Sequence, residues 1–356
     1  MRKTNADDIR GFNFANGVDL RKPLSWVEQL PSPEEEINEA HLKIFFDIMK
    51  ERQKIWVRRS LLKKEAPWTK NPILRDYKYT NVYRELDRAS QFMIKHILTQ
   101  KMPLEQKLFQ LMVFRFYNQP DSFRQNGGLI QLPDYDNWNW KKLWMQTVAE
   151  RKRSGNPWHV AYMMNMAFAP KLMKEWDQPG LYKDWAYVFI VFNAIHKIIP
   201  DLVKVLREAS RPQDIVEFLE KNIPACASFQ SHEFYIDFTY FPRYSQEGQI
   251  MPFDANDFTN VGPGASLGIR LIFPSLKPSE QEAALYLLHE MAEEYLGDDF
   301  PYLMYDKETG KYYTTNEYSR ENFTVHQIEM TTCEWSKYWK MTIGAGKQRS
   351  KFSPHG

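Results

Sequence analysis

Apolar residues recur at helical spacing along most of this chain, and the pattern predicts a mostly α-helical protein. Ser32, followed by Pro33 and two glutamates, is a typical helix start: a capping side chain, a first-turn proline and acids near the positive end of the dipole. The helix that follows, to about Lys64, places on one side Ile37, Leu42, Ile44, Phe45, Ile48 and Met49. Further helices are predicted at 104–117, 140–153, 158–168, 184–199, 201–208, 212–222, 226–240, 279–296 and 323–341, and another is predicted to open with the run 80–88, capped by Thr80 or Asn81.

One β-hairpin is predicted at 302–315, where two tyrosine-rich runs flank the turn residues 306–310. No segment repeats at a fixed period, and no low-complexity linker divides the chain. We therefore expect an N-terminal arm at 1–33, one large helical catalytic domain at 34–343 and a tail at 344–356. A division of the large domain into two lobes stays open at this stage.

A glycine turn precedes one of the apolar helical segments. Gly262, Pro263 and Gly264 lead into a run that contains Gly268 and Arg270. The spacing is that of a helix-hairpin-helix turn, in which free backbone N–H groups bind a phosphate and Gly268 lets two helices pack closely. The alternative is an ordinary tight turn before a core helix, because short glycine motifs are weakly specific.

The overall charge balance gives little support to a nucleic-acid role by itself. The 356 residues carry a formal net charge of only +2, so such a role requires a local basic patch. Residues 50–64 supply one: seven Lys and Arg residues face a single acid, Glu51, and we take Arg58, Arg59 and Lys63 as candidate phosphate contacts. A merely solvated helix face is the alternative.

Features that the sequence lacks further narrow the class of protein. Two cysteines, Cys226 and Cys333, are too few for a disulfide framework and fit a reducing compartment. No Cys/His cluster has zinc-ligand spacing. The N-terminus lacks the apolar core of a signal peptide, and no apolar run reaches the length of a membrane span. We expect a cytoplasmic protein without a membrane partner.

Polar side chains interrupt several helices that otherwise consist of apolar residues. Arg115 and Asn118 share one face of the helix at 104–117, and a buried arginine needs a partner. That partner is either an acid, Glu85 or Asp87, or a ligand anion. Two further helices carry polar residues that are functional candidates. The helix at 226–240 has Gln230, Glu233 and Asp237, and the helix at 323–341 has Glu329, Cys333, Glu334 and Lys337.

Several of these segments together resemble one family. They are Pro67-Trp68-Thr69, the run Thr80–Arg88, Phe114–Asn118, Phe229-Gln230 with Asp237, the Gly-Pro-Gly-Ala turn at 262–265, and Ile328-Glu329 with Cys333-Glu334 and Lys337-Tyr338. In them the chain, over about 50–340, resembles the α-glutamyl/putrescinyl-thymidine pyrophosphorylases of phage DNA hypermodification, also called amino acid:DNA transferases. The helical domain of the 5-hydroxymethyluracil DNA kinases is similar. The resemblance implies an all-α fold related to the helix-hairpin-helix DNA glycosylases. The chain has no P-loop, so the resemblance does not extend to the kinase activity.

The resemblance implies a reaction on duplex DNA that carries 5-(pyrophosphoryloxymethyl)uracil, in which a small amine or amino acid displaces pyrophosphate. A flipped base, a diphosphate leaving group and an amine proton must then be handled. We assign the diphosphate to Arg84, Arg88, Arg115 and Asn118, and the edge of the uracil to Gln230. Glu329 and Lys337 are further substrate-binding candidates. No dedicated metal site is predicted, and a divalent cation bound with the pyrophosphate stays open.

The proton acceptor is predicted to be an acid on an apolar segment. Asp237 is the first choice, because burial raises the pKa of a carboxyl toward the working pH, and Glu233 and Asp257 are the alternatives. Cys333 could add a thiolate to the ring, or could simply pack in a core.

Three competing functions remain. A DNA glycosylase on the same scaffold would use Asp257 to stabilise an oxocarbenium-like state. A plain DNA-binding module on that scaffold belongs to the same alternative, whereas a structural protein without chemistry would simply pair Arg115 with Asp237. A helical partner of a 5-hydroxymethyluracil DNA kinase is the third.

Overall fold

A computed structural model describes residues 37–154, 157–158, 186–346 and 351–352 of the chain. Several predictions lie wholly or mostly outside these residues: the arm at 1–33, the helix start at Ser32, the helix at 158–168 and the tail at 344–356.

The described part of the chain is mostly helical, as the sequence predicts. Its α-helices are α1 (Glu39–Trp56), α2 (Pro72–Asp76), α3 (Arg88–Met93), α4 (Leu104–Tyr117), α5 (Trp140–Ser154), α6 (Phe192–Glu208), α7 (Pro212–Asn222), α8 (Ser228–Thr239), α9 (Phe241–Tyr244), α10 (Pro263–Ile272), α11 (Gln281–Leu296) and α12 (Val325–Thr342). Its strands form two antiparallel hairpins, β1 (Arg124–Gln125) with β2 (Gly128–Leu129) and β3 (Tyr302–Asp306) with β4 (Lys311–Thr315). The second hairpin is the predicted one, and Tyr302 pairs with Thr315.

The described residues divide into two compact units. Those up to Asp87 and from Ala255 onward form the first, which we call the discontinuous unit, and those within Arg88–Asp254 form the second, the central unit.

In the discontinuous unit, α1, α10, α11 and α12 surround one apolar core. Trp335 of α12 and Phe45 of α1 have no exposed surface. Helices α10 and α12 approach each other closely, because a Cβ atom added to Gly268 would overlap the carbonyl oxygen of Thr332. The prediction that Gly268 allows two helices to pack closely is therefore confirmed.

The helix-hairpin-helix detail of the predicted fold is not confirmed. Residues 245–262, which precede the glycine turn, form no helix. The turn thus does not join two successive helices, and the helix that Gly268 contacts begins more than fifty residues later, at Val325.

In the central unit, α4 is the buried helix. Every residue from Lys107 to Tyr117 is buried, and the Phe116 ring contacts those of Phe192 on α6 and Phe234 on α8. The helix ends at Asn118, which adopts the left-handed conformation with φ 46°. In this left-handed C-cap position, the side chain of Asn118 lies beside that of Arg115.

Three predicted helix boundaries are wrong. Helix α1, capped at its start by Asn38, whose side chain accepts from His41 N, continues into a π-helical turn at Val57–Leu61 and ends there rather than at about Lys64. Pro200 does not separate two helices, because it lies inside α6. Residues 80–83 do not open a helix, since a 3₁₀ turn at Arg84–Leu86 follows extended backbone.

Candidate functional site

One face of α12 carries the candidate site of the discontinuous unit. Glu329, Cys333 and Lys337 follow one another at intervals of four residues, so they form a stripe along one face of the helix. The opposite face holds Ile328 and Trp335 in the core. The start of α12 is fixed by a capping box, in which Thr324 donates to and accepts from Gln327. We call Glu329, Cys333, Glu334 and Lys337, together with Arg84, the α12 charge cluster.

Glu329 is the central acid of this cluster. Its residue is only 9% exposed, and burial raises the pKa of its carboxyl to about 7. The Arg84 guanidinium opposes this rise and the Glu334 carboxylate adds to it. A carboxyl with such a pKa exchanges a proton readily near neutral pH, which is the property that a general acid or base requires.

A hydrogen-bonded network beside Arg84 joins the 79–87 segment to α1. Asp87 accepts from the backbone N and from Nδ2 of Asn81, at 3.2 and 2.8 Å, and Arg52 Nη2 donates to the Tyr79 carbonyl at 2.6 Å. Burial raises the pKa of Asp87 to about 6, against the opposing effects of Asn81 and Arg84. This bonding of Asn81 to Asp87 explains why the segment is not helical, since such side chains compete with the helical backbone bonds.

The outer end of the stripe is a surface ion pair. Lys337 Nζ lies 2.7 Å from Glu334 Oε1, and half of the Lys337 side chain is exposed. Burial has the largest single effect and would lower the pKa of Lys337, but the charge and hydrogen bond of Glu334 together with Cys333 outweigh it, and the pKa is raised. Lys337 is therefore a cation at the rim of the cluster.

Cys333 lies in the same stripe, and its surroundings favour packing over reactivity. Burial raises the pKa of its thiol to about 11, although Lys337 opposes the rise. The sulfur sits where a Cβ of Gly264 would be, so this contact joins the glycine turn to α12. The nucleophilic role of Cys333 stays a prediction that these surroundings do not favour.

The glycine turn forms the start of α10. Gly262 is the N-cap residue and Pro263 occupies the first turn, so the helix lacks one N–H there. Ser266 N already donates to the Gly262 carbonyl at 2.9 Å. Phosphate binding at Gly262 and Gly264 stays a prediction, and close packing explains the need for glycine at positions 264 and 268. Arg270, in the last turn, is exposed.

The basic segment at 50–64 is partly neutralised by an acid that the sequence analysis did not consider. Asp299 lies 2.5 Å from Lys54 Nζ and 3.9 Å from Lys50 Nζ. Arg58 donates to Glu51 and to the Trp68 carbonyl, at 2.9 and 2.6 Å. Glu51 is the one acid within this segment, but the fold adds Asp299 as a second acid that these cations meet.

Two of the predicted DNA contacts have no acidic partner within the described residues. The Arg59 guanidinium lies 5.6 Å from the centre of the Trp68 ring and 5.5 Å from that of Phe352, and Lys63 is exposed. Both are free to meet a phosphate.

In the central unit, Arg115 and Asp237 form a buried ion pair. Arg115 Nη2 and Nε lie 2.5 and 2.6 Å from the two Asp237 oxygens, and Nη1 donates to Asn118 Oδ1 at 3.0 Å. Their side chains are 1% and 0% exposed. The sequence offered Glu85 or Asp87 as acidic partners, and the contact is instead with Asp237, as the structural alternative required.

The remaining candidates are distributed between the two units. Arg88 belongs to the central unit, where it pairs with Asp121 at 2.6 Å on the surface. Gln230 and Glu233 are buried on α8 of the same unit. Asp257 is buried in the discontinuous unit, in the loop before the glycine turn. Arg84 with Glu329, Cys333 and Lys337, and Arg115 with Asn118 and Asp237, are thus the two groups that the fold brings together.

Sequence analysis missed Arg52 and Asp87 as members of the network around Arg84. Asp87 was within the run Thr80–Arg88, and the Asn81–Asp87 spacing is compatible with a local side-chain turn. No local signal pointed to Arg52, because its partners lie 27 and 29 residues away.

Comparison with known proteins supplies the class of this chain. Residues 39–348 match the family described as the helical domain of 5-hmdU DNA kinase, and the chain belongs to that family. Among curated proteins it is similar to a 5-hmdU DNA kinase of Bacillus phage SP10, with 28% identity over 245 residues. The alignment covers 65% of this chain but only 36% of the relative. No solved structure matches.

Among the described residues, no helix is both long enough and apolar enough to cross a membrane.

Proposed function

We propose that this protein acts in thymine hypermodification, on double-stranded DNA, by displacing pyrophosphate from 5-(pyrophosphoryloxymethyl)uracil with an amine. Membership in the family of the 5-hmdU DNA kinase helical domain supports a substrate of this kind. The observation that carries the chemical part is Glu329, a buried carboxyl with a pKa of about 7, on which the Arg84 guanidinium and the Glu334 carboxylate have opposing effects.

The reaction needs a group that takes the amine proton. An amine that attacks the base methylene loses one proton as the C–N bond forms and the C–O bond to pyrophosphate breaks. Glu329 is assigned this role, because about half of such carboxyls are ionised at pH 7. Asp237, the first choice from sequence, already binds two nitrogens of Arg115 and has no exposed surface.

The leaving diphosphate needs cations. Arg84, which acts electrostatically on Glu329, and Lys337, at the rim of the same stripe, are assigned to it. Lys337 would exchange its Glu334 partner for a phosphate oxygen, and Arg84 supplies a planar fork that matches one. A divalent cation bound together with the pyrophosphate is compatible with this assignment.

The test is amine transfer to DNA that carries the pyrophosphorylated base, followed by mass spectrometry of the released nucleosides. Glu329→Gln should abolish the product while DNA binding persists. Glu282→Gln is a matched control, because burial also raises the pKa of Glu282 to about 7 and no charged group of the cluster acts on it. Absence of product with the unaltered protein and a range of amines would refute the proposal.

A second function is favoured by the coverage of the relative. The chain corresponds to 36% of the length of a 5-hmdU DNA kinase, so it could present modified DNA to a separate kinase domain. Phosphorylation of 5-hmdU DNA by such a domain, measured with and without this chain, tests the idea. Stimulation without any amine transfer would favour this second function.

A further inference from the structure

Two residues from the far end of the chain, Lys351 and Phe352, pair with the end of α2. Lys351 forms an isolated antiparallel bridge with Tyr77, and the backbone N of Phe352 donates to the Asp76 carbonyl at 3.0 Å. Asp76 is the last residue of α2, so this pairing anchors position 352 at the end of that helix. All four residues belong to the discontinuous unit.

Three side chains meet beside this anchor, Arg59, Trp68 and Phe352, and we call them the aromatic clamp. The rings of Trp68 and Phe352 contact each other edge to face, with their centres 5.6 Å apart and their planes at 80°. The Arg59 guanidinium lies 5.6 Å from the centre of the first ring and 5.5 Å from that of the second. Both distances are within the range of cation–π attraction, so two rings hold one guanidinium.

The Trp68 wall of the clamp is itself fixed by hydrogen bonds. Its indole Nε1 donates to the Lys64 carbonyl at 2.7 Å, which orients the ring. Its own carbonyl accepts from Arg58 Nη1 at 2.6 Å, which holds the backbone. The Phe352 wall is held separately, through its backbone bond to Asp76. Arg59 therefore lies against two walls that are each anchored independently.

The charge of Arg59 is not neutralised. The residue is exposed, and within the described residues it forms no ion pair and no hydrogen bond. A ring contact uses none of its five N–H donors, so these stay available to an anion. Residues 59–71 contain one acid, Glu65, and three further exposed cations, Lys63, Lys64 and Lys70. A planar cation with surplus positive charge around it suits a backbone phosphate of a nucleic acid.

We propose that Phe352 is a positioning residue for DNA binding, which holds Arg59 ready to donate to a backbone phosphate. The proposal rests on the action on double-stranded DNA proposed above. A free arginine side chain loses rotational freedom when it binds an anion. A guanidinium that two rings already hold loses less, so the same phosphate contact yields a higher affinity.

The opposite role for Phe352 is to cover Arg59 and compete with DNA. A competing segment would offer a carboxylate to the guanidinium, as a substitute for the phosphate. The residue beside Phe352 is instead an exposed lysine, Lys351, which adds positive charge to the surface. The contact of Phe352 with Arg59 is through a ring, which replaces no phosphate oxygen. The charge and the chemistry of this segment therefore favour positioning over competition.

The test measures binding of the full-length protein to duplex DNA at several salt concentrations. Phe352→Leu keeps an apolar side chain but removes the cation–π contact, and should weaken binding about three- to tenfold. Its salt slope should stay unchanged, because Arg59 still reaches its phosphate, whereas Arg59→Ala should lower the slope by about 0.9. Phe352→Tyr keeps the ring and should restore most of the affinity. Tyr313→Leu removes an exposed ring of the same unit and is the matched control, with no expected change.

A double variant separates positioning from a general effect on the fold. Phe352→Leu should have no further effect on DNA affinity once Arg59 is alanine, because the two residues act through one contact. An equal loss in both backgrounds would overturn the proposal, and so would tighter binding by Phe352→Leu. Thermal unfolding of each variant checks that it is folded.

Two further measurements distinguish the source of the phosphate and the failure of the proposed function. Saturable binding of inorganic pyrophosphate without DNA, lost in both Arg59→Ala and Phe352→Leu, would overturn the assignment to the DNA backbone. The expected variant effects on DNA affinity, without amine transfer by the unaltered protein, would support the clamp and contradict the proposed reaction. Amine transfer with DNA affinity unaltered in Arg59→Ala would contradict the clamp alone.

Discussion

Gly268 of α10 lies directly against the backbone of Thr332 on α12. A Cβ atom at position 268 would overlap the Thr332 carbonyl oxygen and stand 2.8 Å from its Cγ2. Gly264, one helical turn earlier, makes the equivalent contact with Cys333. Two glycines thus set the separation of the helices that position Glu329 and Lys337.

Gly268→Ala should lower the free energy of unfolding by about 1–3 kcal/mol, because the added methyl group forces the two helices apart. Denaturant unfolding measures the change. Leu267→Ala, at an exposed position of the same helix, should alter stability by less than about 0.5 kcal/mol. Equal effects of the two substitutions would show that the close contact is unimportant.

Breaking the Arg115–Asp237 pair should be strongly destabilising. Arg115→Ala or Asp237→Ala leaves one buried charge without its partner, at a cost of about 3–5 kcal/mol. The double variant Arg115→Met with Asp237→Leu removes both charges and should be more stable than either single variant, in the same unfolding assay. A catalytic rather than structural Asp237 would instead lose amine transfer in Asp237→Asn with little change in stability.

Glu329 should make the stability of the fold depend on pH. Its folded pKa of about 7 lies above the ordinary 4.5, so the folded state binds more protons than the unfolded state between those values. The contribution of Glu329 to stability is therefore present below pH 4.5 and falls as the pH rises through 7, by at most about 3 kcal/mol.

Glu329→Gln removes this loss, so its stability relative to the unaltered protein should improve from pH 5 to pH 8. Glu308→Gln, on an exposed turn, should show no such trend. The rate of amine transfer should rise through about pH 7 as Glu329 loses its proton. A pH-independent difference between Glu329→Gln and the unaltered protein would mean that the carboxyl is not buried in the folded state.

We expect Arg59 and Lys63, the exposed cations that follow α1, to make the main contribution to DNA binding. Arg59→Ala with Lys63→Ala should weaken binding to all sequences alike, and should reduce the salt dependence by about 0.9 in log–log slope for each lost phosphate contact. Lys43→Ala, at an exposed site that pairs with Asp47, is the control. Binding measured at several salt concentrations decides the matter, and an unaltered slope would place the DNA surface elsewhere.

Cys333 should react slowly with iodoacetamide in the folded protein. A thiol with a pKa of about 11 is ionised at pH 7 in roughly one molecule in ten thousand, and the thiolate is the reactive form. Peptide mass spectrometry separates this site from Cys226, and the urea-unfolded chain gives the reference rate. Cys333→Ser should keep amine transfer if displacement is direct, and rapid alkylation of the folded protein would reopen the covalent mechanism.

The sequence by itself determined the helical class and the position of several elements. The boundaries predicted for α4 and the hairpin at 302–315 agree with the structure, because local periodicity and turn residues specify them. Gly268 was also recognised as a close-packing position. These features depend on neighbours within a few residues, which a single sequence contains.

Tertiary structure alone decided which charges meet. Asp237 lies 122 residues from Arg115, and Asp299 lies 245 residues from Lys54, so no local pattern could select either partner. The pKa of Glu329 likewise depends on how completely the packed fold removes water from its carboxyl. Burial and long-range contacts are properties of the packed fold, and they move the candidate proton acceptor from Asp237 to Glu329.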